Sequence, residues 1–135
     1  MVKLIIGVKG TGKTKTLISM VNEAAEKSAG AVVCIEKGVG LRFDVKPTVR
    51  LINTNEYLVF DAEALYGFVA GILASNHDVT DLFIDGALKI SNNNTAAFEA
   101  FIKEVDELSG KLGVNVVMTS SIPVEEASDT VKKYI

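Results

Sequence analysis

A glycine-rich turn near the amino terminus constrains the fold of this chain more than any other stretch. Residues 2–6 read VKLII, an apolar strand, and residues 7–14 read GVKGTGKT, with the spacing G-x-x-x-x-G-K-T. Residues 15–28 then continue as a helical run. A strand that turns through glycines directly into a helix gathers backbone N–H groups around one point. Residues 7–14, hereafter the glycine-rich loop, are therefore predicted to bind phosphate.

Each residue type in the glycine-rich loop suits phosphate binding for a chemical reason. Gly7, Gly10 and Gly12 permit backbone angles closed to other residues, so successive amides can turn toward one anion. The helix that starts near Lys13 adds unpaired N–H groups and the positive end of its dipole. Lys13 is predicted to reach the β- and γ-phosphates of a nucleotide, and the Thr14 hydroxyl to ligate Mg²⁺. The predicted binding set also contains Lys9 and Thr11 of the loop and Lys15, the residue after it.

The loop matches in full the Walker A motif, and the chain therefore resembles the P-loop nucleoside triphosphatases. The resemblance implies ATP and Mg²⁺ as ligands. Independently, apolar runs alternate with helical periodicity along the rest of the chain. That alternation predicts an α/β fold of three layers with a mostly parallel central sheet.

Length and composition predict one domain. A chain of 135 residues, 48% of them hydrophobic, can bury one core and is too short for two ordinary domains, so residues 1–135 are predicted to form a single nucleotide-binding domain. The net charge of −3 argues against a broadly basic nucleic-acid surface. One cysteine, Cys34, excludes an internal disulfide, and one histidine, His77, leaves no zinc site.

The sequence carries no recognisable membrane signal. Its apolar start is too short for the apolar region of a signal peptide and is used by the glycine-rich loop. No run of about 18 or more apolar residues is present to span a bilayer. A cytoplasmic protein without a membrane span is expected.

Two acidic residues stand where apolar strands end. Glu36 follows the run 31–35, and Asp85 follows the run 82–84. In an open α/β sheet, ligands bind at the carboxyl ends of the strands. The run ending in Asp85 resembles the Walker B motif, which implies that Thr14 and Asp85 flank the Mg²⁺. Because Mg²⁺ prefers oxygen ligands and keeps several waters, a hydroxyl, a carboxylate and the phosphates suffice.

The branch of the superfamily follows from what is absent. No N-K-x-D-like base-reading motif follows the last strands, which argues against a GTPase and favours ATP over GTP. Two arginines, Arg42 and Arg50, are too few for the arginine-rich lid of the small kinases. Two candidate strands precede Asp85, which leaves room for the additional strand of RecA-like proteins. The chain thus resembles a minimal RecA-like ATPase core.

In this group, the glutamate that polarises the attacking water occupies one of two alternative positions. The commoner place, directly after the Walker B aspartate, is occupied here by Gly86. In RecA-type members the glutamate ends a neighbouring strand, and Glu36 matches that placement. The resemblance therefore implies Lys13 and Glu36 as catalytic residues. The alternative for Glu36 is an acidic residue in a solvated loop.

Other polar residues keep two interpretations. Arg42 and Arg50 are either exposed charges or candidates for an arginine finger across a subunit interface. Thr119 or Ser120 resembles the polar sensor residue beyond the Walker B strand, or caps a turn.

Three local features are also predicted. Gly30 is expected to end the first helix as its C-cap. Residues 86–93 are expected to form a polar loop, and Pro123 is expected to open one short C-terminal helix.

Two functions are compatible with these residues. The first is a Mg²⁺-dependent ATP-binding protein with weak or partner-stimulated ATPase activity. The alternative is a nucleotide-controlled binding module with little hydrolysis, in which the 37–46 loop or the C-terminal helix changes a partner interface. Because RecA-like cores commonly work as rings or with partners, the resemblance also allows a homo-oligomer or a protein partner.

Overall fold

In the computed structural model, which describes residues 1–135, helices separate the strands along the chain except at residues 37–49, where a loop joins two successive strands. The strands are β1 Val2–Ile6, β2 Ala31–Glu36, β3 Arg50–Asn53, β4 Val79–Ile84 and β5 Asn115–Ser120. The α-helices are α1 Lys13–Lys27, α2 Ala62–Ser75, α3 Ala87–Ile90, α4 Thr95–Leu112 and α5 Asp129–Lys132. Two 3-10 turns, Thr54–Tyr57 and Val124–Glu126, complete the fold.

The five strands form one sheet in the order β1-β5-β4-β2-β3, and every pair is parallel. The predicted α/β fold with a parallel sheet is confirmed. The strand that separates β1 from β4 is β5, which follows Asp85 in sequence. β5 suits an interior position because Val116, Val117 and Met118 are all buried, as an interior parallel strand requires.

Helices cover both faces of the sheet. The larger apolar cluster lies with α2 and α4 and includes Leu65, Phe98 and Phe101. The smaller cluster lies with α1 and includes Leu17 and Val21. Since the two clusters lie on opposite faces of the sheet, the domain has three layers, as predicted. No helix in the chain is both long and apolar enough to cross a membrane.

The turn between α1 and β2 uses Gly30 for a reason other than capping. α1 ends at Lys27, and its C-cap is Ser28, whose N–H donates to the Ala24 carbonyl at 2.8 Å, so the predicted C-cap at Gly30 is wrong. Gly30 instead packs against the backbone of Asp78, the residue just before β4. A Cβ atom at Gly30 would lie 2.0 Å from the carbonyl oxygen of Asp78. Only glycine permits this close approach.

Gly30→Ala is expected to lower the free energy of unfolding by roughly 1–3 kcal/mol, because the new methyl group must displace backbone. Gly71→Ala is the matched control: Gly71 lies within α2, and a Cβ there would contact nothing within 4 Å. Alanine should stabilise that helix by about 1 kcal/mol. Urea unfolding of both variants checks this pair, and equal changes in the two would contradict the packing argument.

Two other local predictions are wrong. The supposed loop 86–93 contains α3, because Ala87 and Ile90 are apolar, three residues apart and buried against the core. The C-terminal segment forms a 3-10 turn and then α5 rather than one helix. The chain is extended at Ala127, and Ser128 starts a new helix by accepting the Val131 N–H at 3.2 Å.

Candidate functional site

The glycine-rich loop has the backbone geometry that its sequence predicts. Gly7, Gly10 and Gly12 have φ angles of 152°, 88° and 87°. Gly12 immediately precedes α1 and makes the left-handed turn into it. The Val8 carbonyl accepts a hydrogen bond from the Thr11 hydroxyl at 2.8 Å, which fixes the centre of the loop. The loop is therefore a strand-to-helix turn in which three glycines have positive φ angles. Residues other than glycine rarely adopt this backbone conformation.

The Lys13 side chain lies along this loop. Its Nζ donates to the Val8 carbonyl oxygen at 2.9 Å. Lys13 forms none of the three ion pairs in the chain. Because its partner is a neutral carbonyl, the positive charge of the ammonium is not neutralised. An anion at the loop would replace a neutral acceptor with a charged one, which makes a stronger hydrogen bond.

Asp85 joins the loop to the carboxyl ends of two strands. The Thr14 hydroxyl oxygen lies 3.2 Å from Asp85 Oδ1 and 3.3 Å from Oδ2. The Thr119 hydroxyl, at the end of β5, donates to Asp85 Oδ1 at 2.7 Å. The same hydroxyl accepts the Gly86 N–H at 2.8 Å. The structure thus brings Thr14 and Asp85 together, and Thr119 fixes the orientation of the carboxylate.

A polar pocket of about 760 Å³ adjoins these residues and is hereafter called the loop pocket. Its lining combines the loop with the carboxyl ends of β4 and β5, and four lysines face one carboxylate in it. It is lined by Lys9, Gly10, Gly12, Lys13, Thr14, Lys15, Ile18, Asp85, Gly86, Lys89, Asn93, Thr119 and Ser121. This charge excess in a chain of net charge −3 suits an anionic ligand.

A second cavity of about 360 Å³ lies along another part of the loop and is hereafter called the outer cavity. Gly7 and Thr11 line it, together with Gly12 and Lys13, which also line the loop pocket. Apolar side chains contribute as well, among them Val124. Every residue of the predicted nucleotide-binding set therefore lines one cavity or the other.

Solved structures share this architecture. A KaiC-like protein from the hyperthermophilic archaeon Pyrococcus horikoshii superposes with a TM-score of 0.70 over 98% of this chain, at 15% sequence identity. The pCW3 conjugation coupling protein TcpA, solved as a monomer with ATPγS, superposes with a TM-score of 0.62 over 99% of this chain, at 14% identity. The chain has the P-loop nucleoside triphosphatase fold.

This likeness concerns the P-loop fold alone. The chain spans 66% of the KaiC-like protein and 46% of TcpA. No protein-family model and no curated protein matches the sequence.

The oxygen atoms of Thr14 and Asp85 fit a Mg²⁺ ion. A hydroxyl and a carboxylate are donors that this ion prefers, and Mg²⁺ at phosphates usually needs only one or two protein ligands. No group of three or more His, Cys, Asp or Glu side chains that could hold a metal is present. The donor set therefore suits an ion that phosphates and water help to coordinate.

Lys89 and Asn93 are pocket residues that sequence reasoning missed. Both lie in the stretch predicted to be a loop, and both line the loop pocket. The available signal was their position shortly after an acid at the end of a strand, on the edge where ligands bind. A polar residue four or eight places beyond Asp85 was therefore a candidate in principle.

Glu36 lies outside the loop pocket, where a residue in direct contact with the nucleotide would be expected. It ends β2, is 5% exposed and is absent from the lining of the loop pocket. Its Oε2 accepts the Leu41 N–H at 3.1 Å. Burial raises the pKa of the Glu36 carboxyl, against the lowering effect of the Leu41 and Gly40 N–H groups, and the nearby Asp85 charge raises it further. In this conformation Glu36 holds the following loop to the end of β2.

Glu36→Gln is expected to remove a pH-dependent part of the stability. Because the pKa of Glu36 is raised above its usual 4.5, the folded protein keeps this proton at pH values where the unfolded chain has lost it. Its contribution is full below the unfolded pKa and is lost as the pH rises through the folded pKa. Urea unfolding from about pH 4 to about pH 8 should show wild type losing more stability than the variant.

Glu104→Gln, at an exposed glutamate on α4, serves as the control for that series. It should lose stability with pH in parallel with wild type. Parallel curves for wild type and Glu36→Gln would contradict the raised pKa.

Neither arginine reaches the loop pocket. The Arg42 guanidinium lies 4.7 Å from the centre of the Phe43 ring. Arg50 begins β3 and is exposed. Within one chain, no arginine lines the loop pocket.

Proposed function

We propose that this chain binds ATP with Mg²⁺ at the glycine-rich loop and hydrolyses it weakly or under the control of a partner. The observation that carries the proposal is the convergence of Lys13, Thr14 and Asp85 on one lysine-lined pocket, with Thr14 and Asp85 in hydrogen-bond contact. TcpA, which has the same fold, was solved with an ATP analogue, and this supports ATP as the nucleotide. Since ATP and Mg²⁺ are abundant in the cytoplasm, the activity would take place there.

The phosphates would be held by groups of the glycine-rich loop. The backbone N–H groups of the loop and the start of α1 would donate to them, and Lys13 would exchange the Val8 carbonyl for a phosphate oxygen. Thr14 and Asp85 would hold the metal between protein and phosphate. When bound, Mg²⁺ neutralises phosphate charge. Thr119 would keep the Asp85 carboxylate in place.

The base would lie in the outer cavity. The loop pocket has one apolar lining residue, Ile18, and offers little surface to a purine ring. The outer cavity is lined by four apolar side chains, Ile5, Ile6, Val8 and Val124. It adjoins the same loop, so a single nucleotide would place its phosphates and its base on the two cavities.

Slow turnover follows from the position of the acids. Gly86 takes the place directly after Asp85 and supplies no carboxylate. Glu36 is the remaining candidate to polarise water, and it would have to leave the Leu41 N–H to do so. A second copy of the chain or another protein would therefore be needed to complete the site for rapid hydrolysis.

Phosphate release from Mg-ATP tests this proposal. Purified wild type should release phosphate slowly, and Glu36→Gln should release less while still binding ATP, because the amide retains the loop hydrogen bond but is a poor base. Glu104→Gln is the control. Equal turnover in wild type and Glu36→Gln would remove Glu36 from the mechanism, and failure of wild type to bind ATP would contradict the function itself.

The Glu36 contact also favours a second candidate function, a nucleotide-controlled binding module. The loop that Glu36 holds exposes Val39 and Phe43, which are 54% and 86% exposed. Release of Glu36 on nucleotide binding would free this apolar loop for a protein partner. Retention of ATP without phosphate release, together with ATP-dependent protease cleavage within residues 37–46, would support the module over the ATPase.

A further inference from the structure

The loop pocket has a second wall that the glycine-rich loop does not provide. α3 and the turn after it contribute Lys89 and Asn93 to the lining. We propose that these two side chains bind the terminal phosphate of the nucleotide and make the site selective for a nucleoside triphosphate over a diphosphate. This inference rests on the proposed nucleotide binding and assigns a role to residues beyond the loop.

The second wall is fixed to the same strand ends that hold Asp85. The Gly86 N–H donates to the Thr119 hydroxyl at 2.8 Å, and the Leu88 N–H donates to the Ser120 hydroxyl at 3.3 Å. Gly86 has a φ of 75°, so the chain reverses into α3 immediately after Asp85. Glycine at this position therefore has a structural use: a glutamate would be strained in the left-handed turn that positions α3.

The packing of the apolar residues of α3 leaves its polar residue, Lys89, on the outer side of the helix. Ala87 and Ile90 are 0% and 2% exposed, and they anchor the helix to the core. Lys89 is exposed at the loop pocket. Of the two residues between this buried pair, Leu88 packs partly against the core, and Lys89 is the one left exposed. The position of Lys89 is thus set by the core and by the hydroxyls of β5.

The turn after α3 carries backbone strain next to the pocket. Asn92 and Asn93 have φ angles of 59° and 55°, which are uncommon for residues other than glycine. The Asn92 N–H donates to the Lys89 carbonyl at 3.1 Å, and the Asn93 N–H to the Leu88 carbonyl at 2.9 Å. Two consecutive left-handed residues are thereby held in place. Strained residues of this kind cluster at ligand sites.

The charge of Lys89 is available for a ligand. The three ion pairs of the chain involve Lys27, Lys46 and Lys111, so Lys89 has no carboxylate partner. Lys9, Lys13 and Lys15 come from the loop side of the pocket, and Lys89 is the one cation from the other side. A terminal phosphate in the loop pocket would lie between cations of both walls. A diphosphate lacks this group and would use the loop side alone.

Binding of Mg-ATP and Mg-ADP by Lys89→Met tests the inference. Loss of a charge-assisted contact should weaken ATP binding roughly tenfold to a hundredfold, and ADP binding should change much less. Lys89→Arg retains the charge and should preserve most of the preference for ATP. Lys103→Met, at an exposed lysine on α4, is the control for loss of a surface charge.

The neighbouring asparagines provide a matched pair. Glycine keeps the left-handed backbone and removes the side chain, so Asn93→Gly should reduce the ATP preference while Asn92→Gly leaves it unchanged. Only Asn93 lines the loop pocket. Thermal unfolding of each variant without nucleotide shows whether it is folded.

The outcomes separate the inference from the function on which it rests. A fall in the affinity ratio of ATP to ADP in Lys89→Met and Asn93→Gly supports the second wall. An unchanged ratio, or an equal loss of both nucleotides, overturns the inference but leaves nucleotide binding intact. Absence of nucleotide binding by wild type overturns both.

Discussion

Lys13→Ala is expected to abolish the stabilisation of this protein by Mg-ATP. A ligand at about 100 times its Kd stabilises the folded state by about 2.7 kcal/mol, which appears as a rise in Tm. In wild type the Lys13 ammonium is bonded only to the Val8 carbonyl, so it is free to exchange that partner for a phosphate. Alanine removes the charged donor, and the rise in Tm should disappear at the same nucleotide concentration.

Lys103→Ala is the control for that experiment, because Lys103 is an exposed lysine on α4, away from both cavities. The rise in Tm with Mg-ATP should equal that of wild type. Without nucleotide, Lys13→Ala should unfold close to the wild-type Tm, since its side chain makes a single hydrogen bond to a neutral carbonyl. A full nucleotide-induced rise in Lys13→Ala would contradict the assignment of the loop.

Asp85→Asn is expected to raise the Mg²⁺ concentration needed for nucleotide binding roughly 10- to 100-fold, the usual cost of losing a supporting group at a metal site. The carboxylate contacts both the Thr14 and the Thr119 hydroxyl. Asparagine keeps the shape but loses the negative charge that attracts the ion and one of the two acceptor oxygens. Titration of Mg²⁺ at a fixed ATP concentration measures the shift.

Asp81→Asn provides the matched control on the same strand. Asp81 lies nearer the start of β4, where its carboxylate accepts the Thr80 hydroxyl at 2.8 Å, and it is absent from the loop pocket. Its Mg²⁺ requirement should equal that of wild type. An unchanged Mg²⁺ requirement in Asp85→Asn would remove that residue from the metal site.

The fold class could be predicted from sequence because its signals are local. The glycine-rich loop is contiguous, and helices separate the apolar strands at every step of the chain except between β2 and β3. The order of the strands was less accessible. The position of β5 between β1 and β4 depends on pairing across more than a hundred residues, such as Val2 with Val116, and no local pattern encodes that choice.

The site was predictable where its residues are sequence neighbours or end strands. Thr14 ends the glycine-rich loop, which follows β1, and Asp85 follows β4, so the parallel sheet brings the two residues together. Lys89 and Asn93 were missed because α3 has four residues, too few to show a helical period. Their position depends on left-handed residues on either side of this helix, at Gly86 and at Asn92.

Glu36 shows that the end of a strand does not by itself predict where a side chain lies. It ends β2, as expected, yet its carboxylate bonds to the Leu41 N–H instead of lining the loop pocket. A strand end fixes where the backbone stops, and the following loop decides where the side chain is held. Whether Glu36 activates water therefore stays a prediction for the turnover experiment.

Calorimetric titration of the wild-type protein with Mg-ATP tests the central claim most directly. The convergence of the glycine-rich loop, Thr14 and Asp85 predicts saturable binding of one nucleotide per chain, weakened when Mg²⁺ is chelated. Absence of saturable binding at millimolar Mg-ATP, in a preparation that unfolds cooperatively on heating, would contradict the claim that these residues form a nucleotide site.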